Sequence, residues 1–122
     1  MAIKTDAVDK DFSKFIRLRA DGVCEYCGKY VGFAKLQCAH FHGRRKWITR
    51  CDPDNASALC YSCHNYLDEH PPKHDAFYRK RLGTERYDEL NIRSEIVKRR
   101  TAEDVVVITK DLKEKIKLLE EG

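Results

Sequence analysis

The sequence predicts one small α+β domain, in which short strands lie between two pairs of cysteines and helices flank the strands on both sides. Three observations support this prediction. The chain has 122 residues, a length that suits a single domain. Four of its six cysteines form two Cys-x2-Cys pairs, and amphipathic helical patterns stand before the first pair and after the second. We therefore divide the chain into an N-terminal helix (1–22), a central core (23–70) and a helical extension (71–122).

The composition indicates a small core that needs additional support. Hydrophobic residues make up 42% of the sequence and charged residues 36%. Small cores of this kind commonly rely on a disulfide or a bound metal. The first residues contain no apolar segment typical of a secretory signal, and no stretch approaches the roughly 18 apolar residues of a membrane span. We therefore expect a cytoplasmic protein without a membrane partner, in which paired cysteines bind metal rather than form disulfides.

The two cysteine pairs have the spacing of a structural zinc site. Two intervening residues let both thiolates of a pair reach adjacent corners of one tetrahedron, and two pairs complete a shell of four sulfur atoms. Such a shell leaves no open position for a substrate, so the zinc is expected to stabilise the fold. The predicted ligands are Cys24, Cys27, Cys60 and Cys63.

Two further cysteines stand outside these pairs. Cys38 lies in a predicted strand, and Cys51 precedes a cluster of turn-forming residues. A buried free thiol behaves as a small hydrophobic group, so we expect both cysteines to belong to the core. The alternative is that Cys38 replaces one of the four predicted ligands.

The first half of the chain is predicted to form a helix followed by a β-hairpin. Residues 6–20 carry apolar side chains at helical spacing, and Gly22 follows as a residue that ends the helix. Residues 35–41 are predicted to form a strand and residues 47–50 its partner. Residues 42–44 would form the turn between them.

The second half of the chain is predicted to be helical. Two prolines are expected to end the first of these helices, and Gly83 to separate the next two. The last helix starts at Thr101, which forms a capping-box pattern with Asp104. Its apolar stripe suits the core of the domain, with a homodimer interface as the alternative. The first three helices are predicted over residues 60–69, 75–82 and 84–92, and the stripe consists of Val105, Ile108, Leu112, Ile116 and Leu119.

The distribution of charge favours a polyanionic partner. The net charge is only +4, but residues 26–51 contain six Lys or Arg and no acidic residue, with five aromatic residues among them. This mixture is typical of nucleic-acid binding, and a solvated loop around core aromatics is the alternative. Basic residues of the helical extension either contact phosphates or form an ordinary charged surface. The predicted DNA-binding residues are Arg44, Arg45, Lys46, Arg50, Arg79 and Arg81.

Three polar residues near the cysteine pairs carry a resemblance to a known family. His40 lies at the end of the first predicted strand, Asn55 in a turn, and His64 directly after Cys63. Together with the run Asp-Pro-Asp-Asn-Ala-Ser-Ala-Leu-Cys-Tyr-Ser-Cys-His-Asn at residues 52–65, this arrangement resembles the zinc-bearing HNH nucleases, also named ββα-metal or His-Me finger nucleases. The resemblance implies a core of two strands and one helix that holds a catalytic metal ion.

The resemblance also implies a role for each residue. His40 would be the general base for the attacking water, a task that suits a side chain titrating near neutrality. Asn55 would fix the hairpin loop and orient His40. His64 would bind the catalytic ion with Asp68, which lies one helical turn later. Magnesium or manganese would suit such a site of oxygen and imidazole ligands.

One position departs from the family pattern. HNH nucleases commonly carry an acidic or histidine metal ligand directly before the base, and here that residue is Ala39. Three explanations are open. The missing ligand comes from His42, Asp68 or His70, the site binds metal weakly, or the protein does not cut DNA.

Further stretches resemble the phage NinG/Rap recombination endonucleases. They are Ala-His-Phe at residues 39–41, Arg-Cys-Asp-Pro-Asp-Asn at 50–55 and Tyr-Arg-Lys-Arg-Leu-Gly-Thr-Glu at 78–85. This resemblance implies a bacterial or phage endonuclease that acts on branched recombination intermediates, such as Holliday junctions and D-loops. The alternatives are a non-catalytic zinc-containing DNA-binding or recombination adaptor and a zinc-containing protein-interaction domain.

Overall fold

The computed structural model describes residues 4–122, and within them five α-helices accompany one two-stranded antiparallel sheet. The predicted α+β class is therefore confirmed. None of the helices in this part of the chain could span a bilayer. The elements follow one another as α1 (Ala7–Arg19), β1 (Gln37–His40), α2 (Trp47–Arg50), β2 (Ala56–Leu59), α3 (Tyr61–Glu69), α4 (Pro71–Ser94) and α5 (Ala102–Glu121), with 3₁₀ turns at Phe33–Lys35 and Pro53–Asn55.

The sheet pairs β1 with β2 across a long connection. The strands run antiparallel, with Gln37 opposite Leu59 and His40 opposite Ala56. The predicted partner strand at residues 47–50 is wrong, because these residues form the single helical turn α2. All four residues of β2 are buried, so this strand lacks the alternation of polar and apolar side chains that marks a half-exposed strand.

Tertiary contacts explain why α2 is helical although Trp47, Ile48 and Thr49 favour a strand. The helical turn buries Thr49 and directs the guanidinium of Arg50 toward α1, where an acidic side chain binds it. The tight turn predicted after β1 is therefore wrong as well. The chain instead runs from the sheet to α1 and back before it enters β2.

α1 and α5 pack together and supply much of the core. α1 begins after Asp6, which forms a capping box with Asp9, and its bounds match the predicted helix to within one residue. Its apolar face belongs to the same buried cluster as Leu112 and Ile116 of α5. The apolar stripe of α5 therefore packs within the chain, except for its last residue, Leu119, which is 40% exposed. A homodimer through α5 stays a prediction. The buried apolar residues of α1 are Val8, Phe12, Phe15 and Ile16.

The boundaries of the remaining helices follow from local sequence. Pro71 and Pro72 lie after α3 and occupy the first positions of α4, where a missing backbone N–H is tolerated. α4 therefore begins earlier than predicted, and Gly83 interrupts its helical backbone with φ 79°, as predicted. The capping box of α5 is confirmed, since the Thr101 side chain accepts from the Asp104 backbone and the Asp104 side chain accepts from the Thr101 backbone, both at 3.1 Å.

A second apolar cluster joins α4 to the connection between the strands. Phe41, the residue after β1, packs against this cluster. Its ring stacks on that of Tyr78 with the centroids 4.5 Å apart. α4 is thereby fixed against the end of β1, next to His40. The buried members of the cluster are Tyr78, Leu82, Tyr87 and Leu90.

Candidate functional site

The four paired cysteines come together in one cluster. Their Sγ atoms all lie within 4.8 Å of one another, and those of Cys27 and Cys60 are 4.0 Å apart. In a tetrahedral site with Zn–S bonds of about 2.3 Å, neighbouring sulfur atoms are about 3.8 Å apart. The cluster therefore has the dimensions of a four-sulfur metal site. Its members are the predicted ligands Cys24, Cys27, Cys60 and Cys63.

Backbone hydrogen bonds build this cluster. In the loop that carries the first cysteine pair (residues 24–28, the first loop), the N–H of Gly28 donates to the carbonyl oxygen of Cys24 at 2.9 Å. Gly28 has φ 77°, a left-handed conformation that glycine adopts without strain. The N–H of Glu25 donates to the carbonyl oxygen of Ala58 at 2.9 Å, which joins the first loop to β2. The second pair lies at the start of α3, where Cys60 is the N-cap.

The thiols of the cluster differ in acidity. Burial raises the pKa of Cys24, but backbone hydrogen bonds from Cys27 and Cys60 are among those that outweigh it, and the net pKa is lowered to about 7. The pKa of Cys63 is raised, first by burial and then by hydrogen bonds to the other three thiols.

Cys38 and Cys51 lie outside the cluster, as predicted. Both are partly buried and pack against the core. Burial raises the pKa of each thiol to about 12, so both stay protonated at neutral pH. Cys38 therefore does not replace one of the four paired cysteines.

His40 ends β1 with its two ring nitrogens in different environments. Nε2 lies 2.9 Å from the carbonyl oxygen of Arg50, and because a carbonyl oxygen only accepts, Nε2 carries the proton. Nδ1 keeps its lone pair and makes no hydrogen bond with residues 4–122. Burial lowers the pKa of His40 below its ordinary value of 6.5, so the ring is neutral at neutral pH. A neutral ring with an unshared lone pair can accept a proton.

Asn55 fixes the segment that connects β1 to β2 (residues 41–55), which includes the Arg50 carbonyl group bonded to His40. Its side chain is fully buried. Nδ2 donates to the carbonyl oxygens of His42 at 2.9 Å and Thr49 at 3.0 Å, and Oδ1 accepts from the N–H of His42 at 2.8 Å. Thr49 directly precedes Arg50, whose carbonyl oxygen holds His40. Asn55 therefore orients His40 through the backbone.

Replacing Asn55 with alanine is expected to destabilise the protein by about 3 kcal/mol, because it leaves three buried backbone groups without partners. Urea denaturation should give a lower midpoint with an unchanged slope. Asn65→Ala is the matched control, since Asn65 is exposed on α3. Midpoints that fall equally for both variants would show that the three hydrogen bonds do not stabilise the connection.

A buried ion pair holds Arg50 against α1. Its Nε donates to Asp9 Oδ1 at 2.8 Å and its Nη2 to Asp9 Oδ2 at 2.6 Å, with both side chains less than a tenth exposed. Burial raises the pKa of Asp9, but hydrogen bonds from Arg50 and Asp6 outweigh it, and the net pKa is lowered to about 2. Arg50, predicted to contact DNA, is instead a buried structural residue, because Asp9 occupies its guanidinium.

His64 and Asp68 lie side by side on α3. His64 Nε2 is 3.5 Å from Asp68 Oδ2, and His64 Nδ1 is 2.6 Å from Oε1 of Gln37 in β1. Ala39, at the position of the missing ligand, is 1% exposed. His40 does not join this pair in one ligand cluster. Within residues 4–122, the four cysteines form the one group of three or more potential ligands whose atoms all lie within 4.8 Å of one another.

The predicted DNA-binding residues differ in exposure. Arg81 is only partly exposed and donates to the carbonyl oxygens of Asp54 at 2.9 Å and Ala56 at 3.1 Å, so it stabilises the fold as Arg50 does. Arg44 is also partly buried and lies beside the ion pair of Arg50. The exposed members are Arg45, Lys46 and Arg79.

Comparisons with known proteins give no relative. No protein-family model, no curated protein and no solved structure significantly matches this chain. The resemblance to HNH and NinG/Rap nucleases rests on the sequence motifs alone. Any functional assignment therefore depends on these motifs and on the contacts of His40 and of the cysteine cluster.

Proposed function

We propose that the protein is a divalent-metal-dependent DNA endonuclease of the kind that the resemblance to HNH nucleases implies. The observation that carries this proposal is the environment of His40. One ring nitrogen donates to a fixed carbonyl oxygen, and the other keeps its lone pair. A general base for water needs both features, because its ring must be oriented and one nitrogen must accept the proton.

Two metal ions would have separate tasks. The four cysteines suit a structural zinc ion, since a closed shell of four thiolates leaves no position for water. His64 and Asp68 suit a magnesium or manganese ion, for which the carboxylate supplies the preferred oxygen ligand. When bound, such an ion stabilises negative charge on the scissile phosphate and on the departing 3′ oxygen.

His40 accepts the proton of the attacking water at Nδ1. The carbonyl oxygen of Arg50 accepts the hydrogen bond from Nε2 and stabilises the imidazolium that results. Asn55 and Asp9 keep this carbonyl group in place, one by clamping the connection and the other by binding the Arg50 side chain. Both act as positioning residues that do not touch the substrate.

Exposed basic residues support DNA as the substrate. Arg45 and Lys46 lie in the connection that follows His40, and Arg79 lies on α4. Cations of this kind neutralise phosphates and bind DNA without reading its sequence. We further propose that branched recombination intermediates are preferred, a step that rests on the resemblance to the NinG/Rap endonucleases.

Replacing His40 with alanine is expected to reduce nicking of supercoiled DNA by about 10²–10⁴-fold, the contribution of a general base. DNA binding should persist, because the exposed basic residues are unchanged. Nicking is measured with Mg²⁺ or Mn²⁺ in excess, and binding by gel shift. His70→Ala is the matched control, since His70 is exposed and its ring makes one hydrogen bond within residues 4–122, to the carbonyl oxygen of Tyr66. Equal nicking by the two variants would exclude His40 as the base.

The nicking rate is expected to fall at acidic pH. The base must be neutral to accept a proton, and burial lowers the pKa of His40 below 6.5. Activity should therefore be higher at pH 7 than at acidic pH and decline with a midpoint below pH 6.5. Single-turnover nicking at saturating Mn²⁺ gives this profile. An acid limb centred above pH 6.5 would contradict the assignment.

A non-catalytic DNA-binding adaptor is the second candidate function. It is favoured by the finding that residues 4–122 contain no second group of converging ligands besides the four cysteines. Protein that binds DNA with a steep salt dependence, yet never nicks it with Mg²⁺ or Mn²⁺, would establish the adaptor. Binding to a protein partner without this salt dependence would instead indicate a protein-interaction domain.

A further inference from the structure

We infer that His74 supplies the metal ligand that Ala39 lacks, so that His64, Asp68 and His74 together bind the catalytic divalent ion. This inference rests on the proposed function and assigns a residue of α4 to its metal site. The ligand atoms would be two imidazole nitrogens and one carboxylate oxygen. Such a set favours manganese and related transition ions over magnesium, because imidazole is a softer ligand than water or carboxylate.

The first observation is an unpaired nitrogen atom. His74 is 9% exposed, and its Nε2 is buried without a hydrogen-bond partner. Buried polar atoms almost always have a partner, since an unpaired one destabilises the fold. The second such atom in residues 4–122 is Nε of Arg81, but that guanidinium still donates two hydrogen bonds through Nη2. A bound ion would give His74 Nε2 the partner that the protein itself does not provide.

The second observation is the position of His74 beside Ala39. Alternate residues of a strand point to the same face, so Ala39 shares its face of β1 with Gln37, which contacts His64. The hydroxyl of Tyr78 donates to the carbonyl oxygen of Ala39 at 3.3 Å. His74 precedes Tyr78 by one turn of α4, and their ring centroids are 5.2 Å apart. The same part of α4 that covers Ala39 therefore carries the imidazole.

α4, which carries His74, packs against α3, which carries the other two ligands. His74 lies near the start of α4, where its backbone N–H donates to the carbonyl oxygen of His70 at 3.1 Å. The ring also contacts that of Phe41, the residue after His40, with the centroids 5.2 Å apart. His74 thus lies between the α3 pair and the end of β1.

The other histidines suggested for the missing ligand each have one ring nitrogen in a hydrogen bond, and neither has a buried nitrogen without a partner. Nε2 of His42 is 2.8 Å from Oδ1 of Asn91. Nδ1 of His70 is 2.7 Å from the carbonyl oxygen of Tyr66, and the residue is exposed. His74 alone among these three has a buried nitrogen that lacks a partner.

The three ligand atoms have not converged, since they do not all lie within 4.8 Å of one another. Asp68 is the adjustable member, because its side chain is 59% exposed. Rotation of this exposed carboxylate away from His64 Nε2 is therefore part of the inference. Metal binding would draw the three groups together.

Titration with Mn²⁺ tests the inference without any cleavage assay. The protein carries its cysteine-bound metal, and free Mn²⁺ is followed by electron paramagnetic resonance. We expect one site in the wild type, weakened about tenfold or more in His74→Ala and in His64→Ala. His70→Ala is the control and should bind as the wild type does. Unchanged Mn²⁺ affinity in His74→Ala, together with a loss in His64→Ala, would overturn the role of His74 and leave the proposed nuclease intact.

A second measurement uses the wild type alone and therefore does not depend on whether the His74 variant folds. ¹⁵N resonances of the histidine rings are followed while Zn²⁺ is added beyond the amount held by the cysteines. We expect the Nε2 resonance of His74 to move to the position of a metal-bound nitrogen, while that of His70 stays. A His74 ring that does not respond while His64 does would overturn the inference. No response from either ring, and no Mn²⁺ binding, would count against the proposed catalytic site as a whole.

Discussion

If the four-cysteine cluster holds a structural metal, as we propose, removal of that metal is expected to unfold the centre of the protein. Structural zinc contributes about 10–16 kcal/mol in small zinc-dependent folds, whereas a whole domain is commonly stable by only about 5–15 kcal/mol. The cluster joins the first loop to β2 and α3, and Cys24 is itself fully buried in the core. Loss of that metal would therefore remove the link that the four cysteines make between these elements.

Chelation followed by circular dichroism and by Trp47 fluorescence measures this effect. The indole of Trp47 donates to Asp104 at 3.1 Å, so its emission reports the packing of α2 against α5. Cys24→Ser with Cys60→Ser should reproduce the chelated state. Cys51→Ser is the control, because Cys51 lies outside the cluster. A double variant as stable as this control would show that a metal in the cluster does not stabilise the fold.

Replacing Asp9 with alanine is expected to destabilise the protein by about 3–5 kcal/mol, the cost of leaving one partner of a buried ion pair uncompensated. Arg50 would keep its charge away from water with neither of its carboxylate bonds. The loss also frees the Arg50 carbonyl group that orients His40. We therefore expect nicking to fall beyond the loss of folded protein. Urea denaturation and nicking under conditions where the variant is folded separate the two effects.

The same ion pair predicts how stability depends on pH. The folded-state pKa of Asp9 is lowered from 3.8 to about 2. Its contribution is therefore complete above about pH 4 and is lost as the pH falls toward 2.

Asp11→Ala is the matched control for Asp9→Ala on the same helix, because Asp11 pairs with Lys113 at the surface at 3.5 Å. Such a pair contributes about 0–1 kcal/mol. Similar losses in the two variants would contradict the importance of the buried pair.

Local signals made several features predictable. The Cys-x2-Cys spacing encodes the geometry of a metal site within a few residues, so the cluster did not depend on knowing the fold. The bounds of α1 followed in the same way from apolar residues at helical spacing and the glycine after them, and the start of α5 from its capping box. The strands did not, because β2 consists of small buried residues and α2 of residues that favour a strand. Contacts between residues that are distant in sequence determine the structure of both elements.

Asp9, and His74 in the metal site that we propose, were both missed by the sequence analysis for the same reason. Asp9 binds a partner 41 residues away. Its signal is an acidic residue at helical spacing with Phe12 and Ile16, on the face of α1 that is buried. His74 has a similar signal, since it precedes the buried Tyr78 by one helical turn. A polar residue on the apolar face of a helix predicts a buried partner, but the sequence alone does not name it.

Metal-dependent DNA cleavage by the wild-type protein tests the central proposal most directly. Protein purified in the presence of zinc is incubated with supercoiled, linear, flap and four-way-junction DNA, with Mn²⁺ or Mg²⁺ and with neither. We expect nicking that requires the added ion, is abolished in His40→Ala and is fastest on branched DNA. Absence of cleavage on all four substrates with both ions, by protein that is folded and binds DNA, would contradict the assignment of a nuclease.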